Sequence, residues 1–172
     1  MINEKERDQI FKKRTELYSQ RKIETDLQLE MNSVLVMVLN EQKYGIELAE
    51  IAGVFRISGF TPVPGAPDEF YGVTNLRGKV TTLINLKKLL GLTAKKEEKS
   101  AYAILLRASN GHFAVKVDSV DKNIAVDFKK LIRLDVLQTS TSTYTKGISL
   151  ENLVVLDIAK ILSQPIFKRN IR

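Results

Sequence analysis

The chain repeats itself, and the repeat limits what it can fold into more than any other feature. YGIELAEI (Tyr44–Ile51) matches FAVKVDSV (Phe113–Val120) in pattern, with Ile46 opposite Val115, Leu48 opposite Val117 and Ile51 opposite Val120, 69 residues apart. LINLKKLL (Leu83–Leu90) matches VLDIAKIL (Val155–Leu162) 72 residues apart. Two matches at nearly equal spacing imply an internal duplication. Each copy reads as strand, turn, strand, a connection, a hairpin and a short helix. Short strands joined by tight turns predict small barrels or sandwiches rather than a parallel α/β sheet. A unit of about 55–70 residues is marginal alone, so the two copies are expected to share a buried interface. The charged, apolar-poor stretch 93–100 marks where the halves meet in sequence.

Individual segments support this reading. Val34–Leu39 is an almost unbroken apolar run, the pattern of a strand buried on both faces. After a polar turn, Tyr44–Leu48 resumes the strand. Phe60–Pro67 holds three of the four prolines and predicts a stiff, extended connection, because proline fixes φ and lacks a donor. Asp68–Tyr71 predicts one helical turn started by Asp68. In Gly72–Leu90 two apolar strands flank Asn75–Leu76–Arg77–Gly78, a hairpin with one arginine at its tip. Phe113, Val115 and Val117 alternate with Ala114, Lys116 and Asp118, as in a strand with two different faces. A last hairpin over Gly147–Leu156 leads to a helix over Asp157–Leu162, capped by Asp157 and limited by Pro165.

The body so defined spans residues 33–163, followed by a basic tail, 164–172, with Lys168, Arg169 and Arg172. Before it lies an extension, residues 1–32, in which 3–22 predict a helix. Ile10, Phe11, Leu17 and Tyr18 fall on one face of that helix. Such a narrow stripe packs on the protein's own body or docks on a further partner, and the sequence leaves both open.

Chemistry is sparse. Cysteine is absent, which excludes disulfides and thiolate sites. The one histidine, His112, stands alone beside a turn, and no phosphate-binding glycine motif is present. Glu47/Glu50, Asp68/Glu69 and Glu97/Glu98 lie on different elements with no histidine at ligand spacing. No catalytic, cofactor or metal site is expected. The N-terminus has no signal-peptide core and no run reaches membrane-span length, so a cytoplasmic location is expected. The net charge is +7, and all of the excess lies in residues 34–172. That charge supports one alternative, a basic small barrel that binds nucleic acid. The lysines are dispersed, however, and no stripe of interleaved aromatics accompanies them, so nucleic acid is not the expected partner. An interaction surface remains, centred on Arg77, which either locks its turn through backbone carbonyls or pairs with a partner.

The assembled residues resemble the CheW family of bacterial chemotaxis coupling proteins. The resemblance rests on Tyr44–Gly45–Ile46, Pro64–Gly65–Ala66–Pro67, Gly72–Val73–Thr74–Asn75–Leu76–Arg77–Gly78 and Leu83–Ile84–Asn85–Leu86. In the second half it rests on Val117–Asp118–Ser119–Val120, Gly147–Ile148 and Val155–Leu156–Asp157–Ile158. It covers about residues 33–163 and implies an all-β fold of two packed, five-stranded SH3-like β-barrels, here with an N-terminal helical extension. It further implies a non-catalytic adaptor without cofactors. One partner would be the cytoplasmic tip of a methyl-accepting chemoreceptor, the other the regulatory domain of the histidine kinase CheA. The adaptor would be recruited through them to membrane-associated receptor arrays. By position, the receptor groove between the barrels would include Ile51, Val54, Arg77, Val115, Val117 and Val120. Three departures stand out: Gly53 replaces a frequent acidic residue, Lys79 follows the turn, and Asn85 replaces the usual aspartate. The extension is also longer than the family's usual start.

Overall fold

A computed structural model describes residues 12–17, 33–93, 101–109, 111–133 and 140–168. Ten strands make up the body: β1 (Ser33–Leu39), β2 (Gln42–Glu47), β3 (Ile51–Ile57), β4 (Phe70–Leu76), β5 (Lys79–Ile84), β6 (Ala101–Leu106), β7 (Phe113–Val117), β8 (Ser119–Ala125), β9 (Thr145–Ile148) and β10 (Val154–Leu156). Residues 12–17 form a helical segment, α1. Four short helices follow: α2 (Leu86–Leu89), α3 (Ser140–Thr143), α4 (Ile158–Leu162) and α5 (Pro165–Lys168). The fold is all-β, with two packed five-stranded sheets.

The strand orders are β8-β1-β2-β10-β9 and β3-β6-β7-β5-β4. These are the same order once the repeats are aligned, but each sheet mixes the repeats. The β1–β2 hairpin of the first repeat joins β8, β9 and β10 of the second. The β6–β7 hairpin of the second joins β3, β4 and β5 of the first. The sequence boundary near 93–100 therefore divides the repeats without dividing the sheets. Parallel pairs seal the exchange in both places, β10 with β2 (Val155↔Gly45) and β5 with β7 (Leu83↔Ala114).

Each sheet also curls back on itself. The segment leaving β3 returns to β4 through the Thr61↔Val73 bridge, and the segment leaving β8 returns to β9 through Ile132↔Ile148. Both crossings need a glycine. A Cβ at Gly72 (φ +139°) would stand 2.1 Å from the Thr61 carbonyl oxygen, and one at Gly147 (φ +154°) 2.8 Å from that of Ile132.

Three apolar clusters follow from this topology. Ile57, Leu76, Leu83, Ala103 and Ala114 fill the inside of one curled sheet. Val34, Val36, Val126, Leu153 and Val155 fill the other. The largest cluster lies between the sheets and includes Leu35, Met37 and Leu39 of β1 with Ile104, Val115 and Val117 of the second repeat. Alternate residues of β1 thus enter two different cores, which is why its apolar run has no polar positions. Phe167 of α5 joins the central cluster, edge-on to Phe70 (5.3 Å) and Phe113 (5.7 Å).

Some local expectations give way to long-range pairing. Asp68–Tyr71 is not a helical turn: Phe70 already pairs with Ile84, and the Asn85 N–H donates to the Glu69 carbonyl at 2.7 Å. The segment after residue 163 is not wholly a tail, because Pro165 opens a new helical turn that carries Phe167 into the core. Of the predicted N-terminal stripe, Ile10, Phe11 and Tyr18 lie outside the described residues. Leu17 is 55% exposed on α1.

The exchange of hairpins makes a direct prediction. Fragments 1–96 and 97–172, produced separately, should show no cooperative thermal unfolding by circular dichroism. Mixed or co-expressed, they should combine one-to-one and regain a single transition. A cooperative transition in either isolated fragment would contradict the interlocked core.

Candidate functional site

Arg77 sits where the hairpin pattern placed it. Leu76 pairs with Lys79, so Arg77 and Gly78 alone form the loop between β4 and β5. Both have positive φ, +54° and +79°, as the two-residue turn matched to strand twist requires. The Asn75 side chain secures the turn by accepting from the Gly78 N–H at 2.8 Å. An arginine in the left-handed region is strained relative to glycine, so the turn itself does not ask for it. Its guanidinium instead lies 5.0 Å from the centroid of the Phe55 ring on β3.

This contact explains the Gly53 departure. A Cβ at Gly53 would come within 3.0 Å of Phe55 Cε2. Glycine there leaves room for the ring that Arg77 covers. Asn85 also keeps its place: its Oδ1 accepts from the Lys88 N–H at 3.2 Å and caps α2, as Asp157 caps α4 through the Lys160 N–H at 2.9 Å.

The other groove candidates separate. Val54 is 42% exposed and alternates with Phe55, so it faces away from the ring that Arg77 covers. Val120 is half-buried on β8, paired with Met37. Val115 and Val117 have no exposed surface and Ile51 only 8%. These three belong to the central core. As contact residues they are corrected: the alternation that put them on one face of a strand did not reveal that the second sheet covers that face. Phe55 and the exposed Val80, two residues beyond the hairpin loop, are the additions. The signal for Phe55 was the small Gly53 two positions before it on the same face.

A second polar feature lies at the junction of the sheets. Lys146 of β9 is hydrogen-bonded to Glu47 at the end of β2 and lies 3.6 Å from Glu50, in the turn leading to β3. Glu50 Oε2 is buried and accepts no hydrogen bond. Burial is the main cause that pushes the Glu50 carboxyl up to about 6, against the attraction of Lys146 and with repulsion from Glu47 and Asp157. Burial opposes the charge on Lys146 as well. There the hydrogen bond to Glu47 and the nearby carboxylates prevail, and its pKa rises.

Among the described residues no group of three or more His, Cys, Asp or Glu side chains could hold a metal ion, and no helix is long and apolar enough to cross a membrane. A family model described as the CheW-like domain matches residues 33–165, most of the chain. The chain belongs to the CheW family, which comprises chemotaxis scaffold proteins. It is 25% identical over 130 residues to the chemotaxis protein CheW of Helicobacter pylori, covering 74% of this chain and 79% of that one. It is 28% identical over 141 residues to the chemotaxis protein CheW of Thermotoga maritima, covering 80% and 92%. The crystal structure of the scaffolding protein TtCheW from Thermoanaerobacter tengcongensis shares the fold. Its TM-score is 0.64 at 23% identity, over 73% of this chain and 88% of that one.

Two stability measurements check this site. Arg77→Gly removes the cation–ring contact, worth about 0.5–1 kcal/mol when exposed, and relieves the positive φ by a similar amount. Chemical denaturation should show a net change below about 1 kcal/mol; a larger loss would mean that Arg77 is chiefly structural. For Glu50, a carboxyl raised above its ordinary 4.5 binds a proton more readily in the folded chain. Its contribution is therefore present below pH 4.5 and is lost as pH rises through about 6. Glu50→Gln should gain on the parent as pH rises across this window, by about 1 kcal/mol at pH 7.5 after discounting for partial exposure. A variant that loses ground over the same range would show that Glu50 is stabilised as an anion.

Proposed function

We propose that this chain is a non-catalytic adaptor that couples methyl-accepting chemoreceptors to the histidine kinase CheA. The receptor's cytoplasmic tip docks against the β3 side of the second sheet, and the regulatory domain of CheA binds elsewhere on the body. The adaptor works at the cytoplasmic face of the membrane, held there by its partners. The single observation that carries the docking site is a contrast between two corresponding strands. β3 and β8 end their sheets in the same position. β8 is guarded by exposed Asp121, Lys122 and Asn123, as sheet edges commonly are. β3 instead presents Ala52, Val54 and Arg56 outward on one face, while on its other face Phe55 packs on the core with Arg77 over its ring. An edge strand with exposed small apolar residues on one face and an arginine at the rim of the other suits an amphipathic helical tip with acidic or carbonyl groups at its rim.

Family membership supports the adaptor reading, and the charge distribution supports it over nucleic acid. Lys43, Lys87, Lys88, Lys130, Lys146 and Lys160 each stand within ion-pair distance of a carboxylate of this chain. Lys116 does lie over two rings, Phe60 and Tyr71, but those rings are half-buried and packed on one another. They offer no open stacking platform for bases.

Titration calorimetry with a receptor cytoplasmic tip and, separately, with a CheA regulatory domain tests the proposal. The chain should bind both. Val54→Asp and Arg77→Gly should each weaken receptor-tip binding at least about tenfold, the scale of one well-packed apolar or charge-assisted contact, while leaving the fold intact. Binding to neither partner would sink the adaptor reading. Receptor binding indifferent to both substitutions would sink the docking site.

A further inference from the structure

The duplication supplies an internal control, because corresponding places in the two sheets can be compared directly. The cap of α2 donates its N–H to the carbonyl of Glu69, and the cap of α4 donates to that of Tyr144. Glu69 therefore corresponds to Tyr144, Asp68 to Thr143, Tyr71 to Lys146 and Lys88 to Lys160. Phe60, one residue before the Thr61 bridge, corresponds to Leu131, one before the Ile132 bridge.

In the second sheet Phe60 and Tyr71 pack in this place with ring centroids 5.4 Å apart, and the exposed Asp68 pairs with Lys88 at 3.2 Å on the surface beside them. In the first sheet the rings are replaced by Leu131 and Lys146, and a pocket of about 370 Å³ opens. Phe128 and Leu131 form its apolar wall, and Arg133, Lys146 and Lys160 supply its cations. Asp157 also lines it, already engaged as the cap of α4. Thr143 brings no charge where Asp68 would stand, so Lys160 has only the carboxylate of its own helical turn, at 3.8 Å. Lys146 is matched by Glu47 and Glu50. Among the described residues Arg133 has no carboxylate partner, and Lys160 is held only by Asp157, near the limit of ion-pair distance.

We infer that this pocket docks an acidic side chain, aspartate or glutamate, carried on an apolar segment of a partner protein, which pairs with Lys160 as Asp68 pairs with Lys88 in the other sheet. The available charge suits one carboxylate rather than a polyphosphate. The apolar wall suits the residue beside that carboxylate. A concave pocket of this size takes one or two side chains and offers no flat face to a membrane. It lies on the opposite sheet from Arg77, so it neither requires nor replaces the docking surface on β3.

The test uses the full chain labelled with ¹⁵N and three probes: acetyl-Leu-Ala-Glu-Leu-Ala-amide, the same peptide with Gln for Glu, and inorganic phosphate. The Glu peptide should shift the amides of Thr145, Lys146 and Lys160 saturably, and the Gln peptide should bind about tenfold more weakly, the value of one charge-assisted hydrogen bond. Arg133→Glu combined with Lys160→Glu should abolish the shifts. Thr143→Asp, which restores the missing internal acid at an exposed position, should weaken binding several-fold while amides of the central core stay in place. The inference is overturned if the Glu peptide causes no shift at millimolar concentration, if the Gln peptide binds equally well, or if Thr143→Asp has no effect. Shifts with phosphate but not with the peptide would overturn it too, in favour of a simple anion site.

Discussion

The central apolar layer between the two sheets is the constraint on which the rest of the molecule depends. It draws Leu35, Met37 and Leu39 from the first repeat and Ile104, Val115 and Val117 from the second. Because each repeat also lends a hairpin to the other's sheet, this layer cannot form from one repeat alone. Strands such as β1 are buried on both faces, one toward their own curled sheet and one toward the neighbouring sheet. A single repeat would expose one of those faces to water and leave its sheet without two of its five strands. Burial of apolar area, the main favourable term in folding, is therefore shared between the repeats rather than owned by either.

That shared interior leaves the periphery free to differ. Apart from the buried Thr81 and Thr145, the interior positions are apolar in both copies, and the crossings at Gly72 and Gly147 keep the same close approach. Outside these constraints the copies carry different chemistry on matching backbone. One hairpin tip holds Arg77 against Phe55; the other carries Leu150, which is 79% exposed. One edge strand is charged and the other apolar. One inter-element space is filled by Phe60 and Tyr71, while its counterpart is an open, cation-lined pocket. A duplicated scaffold of this kind presents unlike surfaces on matching backbone.

Much of this was legible along the chain because the deciding interactions are local. The two-residue turn at Arg77–Gly78, the caps at Asn85 and Asp157, and the stiff segment Phe60–Pro67 all depend on residues close in sequence. The double burial of β1 was legible too, since an apolar run without alternation leaves no solvent face. Less could be read where a weak local preference met a stronger distant partner. Asp68–Tyr71 has the beginnings of a helical turn, but Phe70 belongs to a ladder with Ile84. Pro165 reads as a stop, yet the chain continues into a turn because Phe167 finds Phe70 and Phe113.

The amino-acid sequence by itself determined the strands, their turns, the duplication and the position of the one arginine at a hairpin tip. Only the tertiary structure decided which strands became neighbours, and so which valines were surface and which were core. Val115 and Val117 alternate as a half-exposed strand would, but the other sheet lies across that face. It also decided that Arg77 would lie over an aromatic ring of β3. Strand pairing and ring contacts join residues far apart in the chain, and periodicity records only that a face is apolar, not what will cover it.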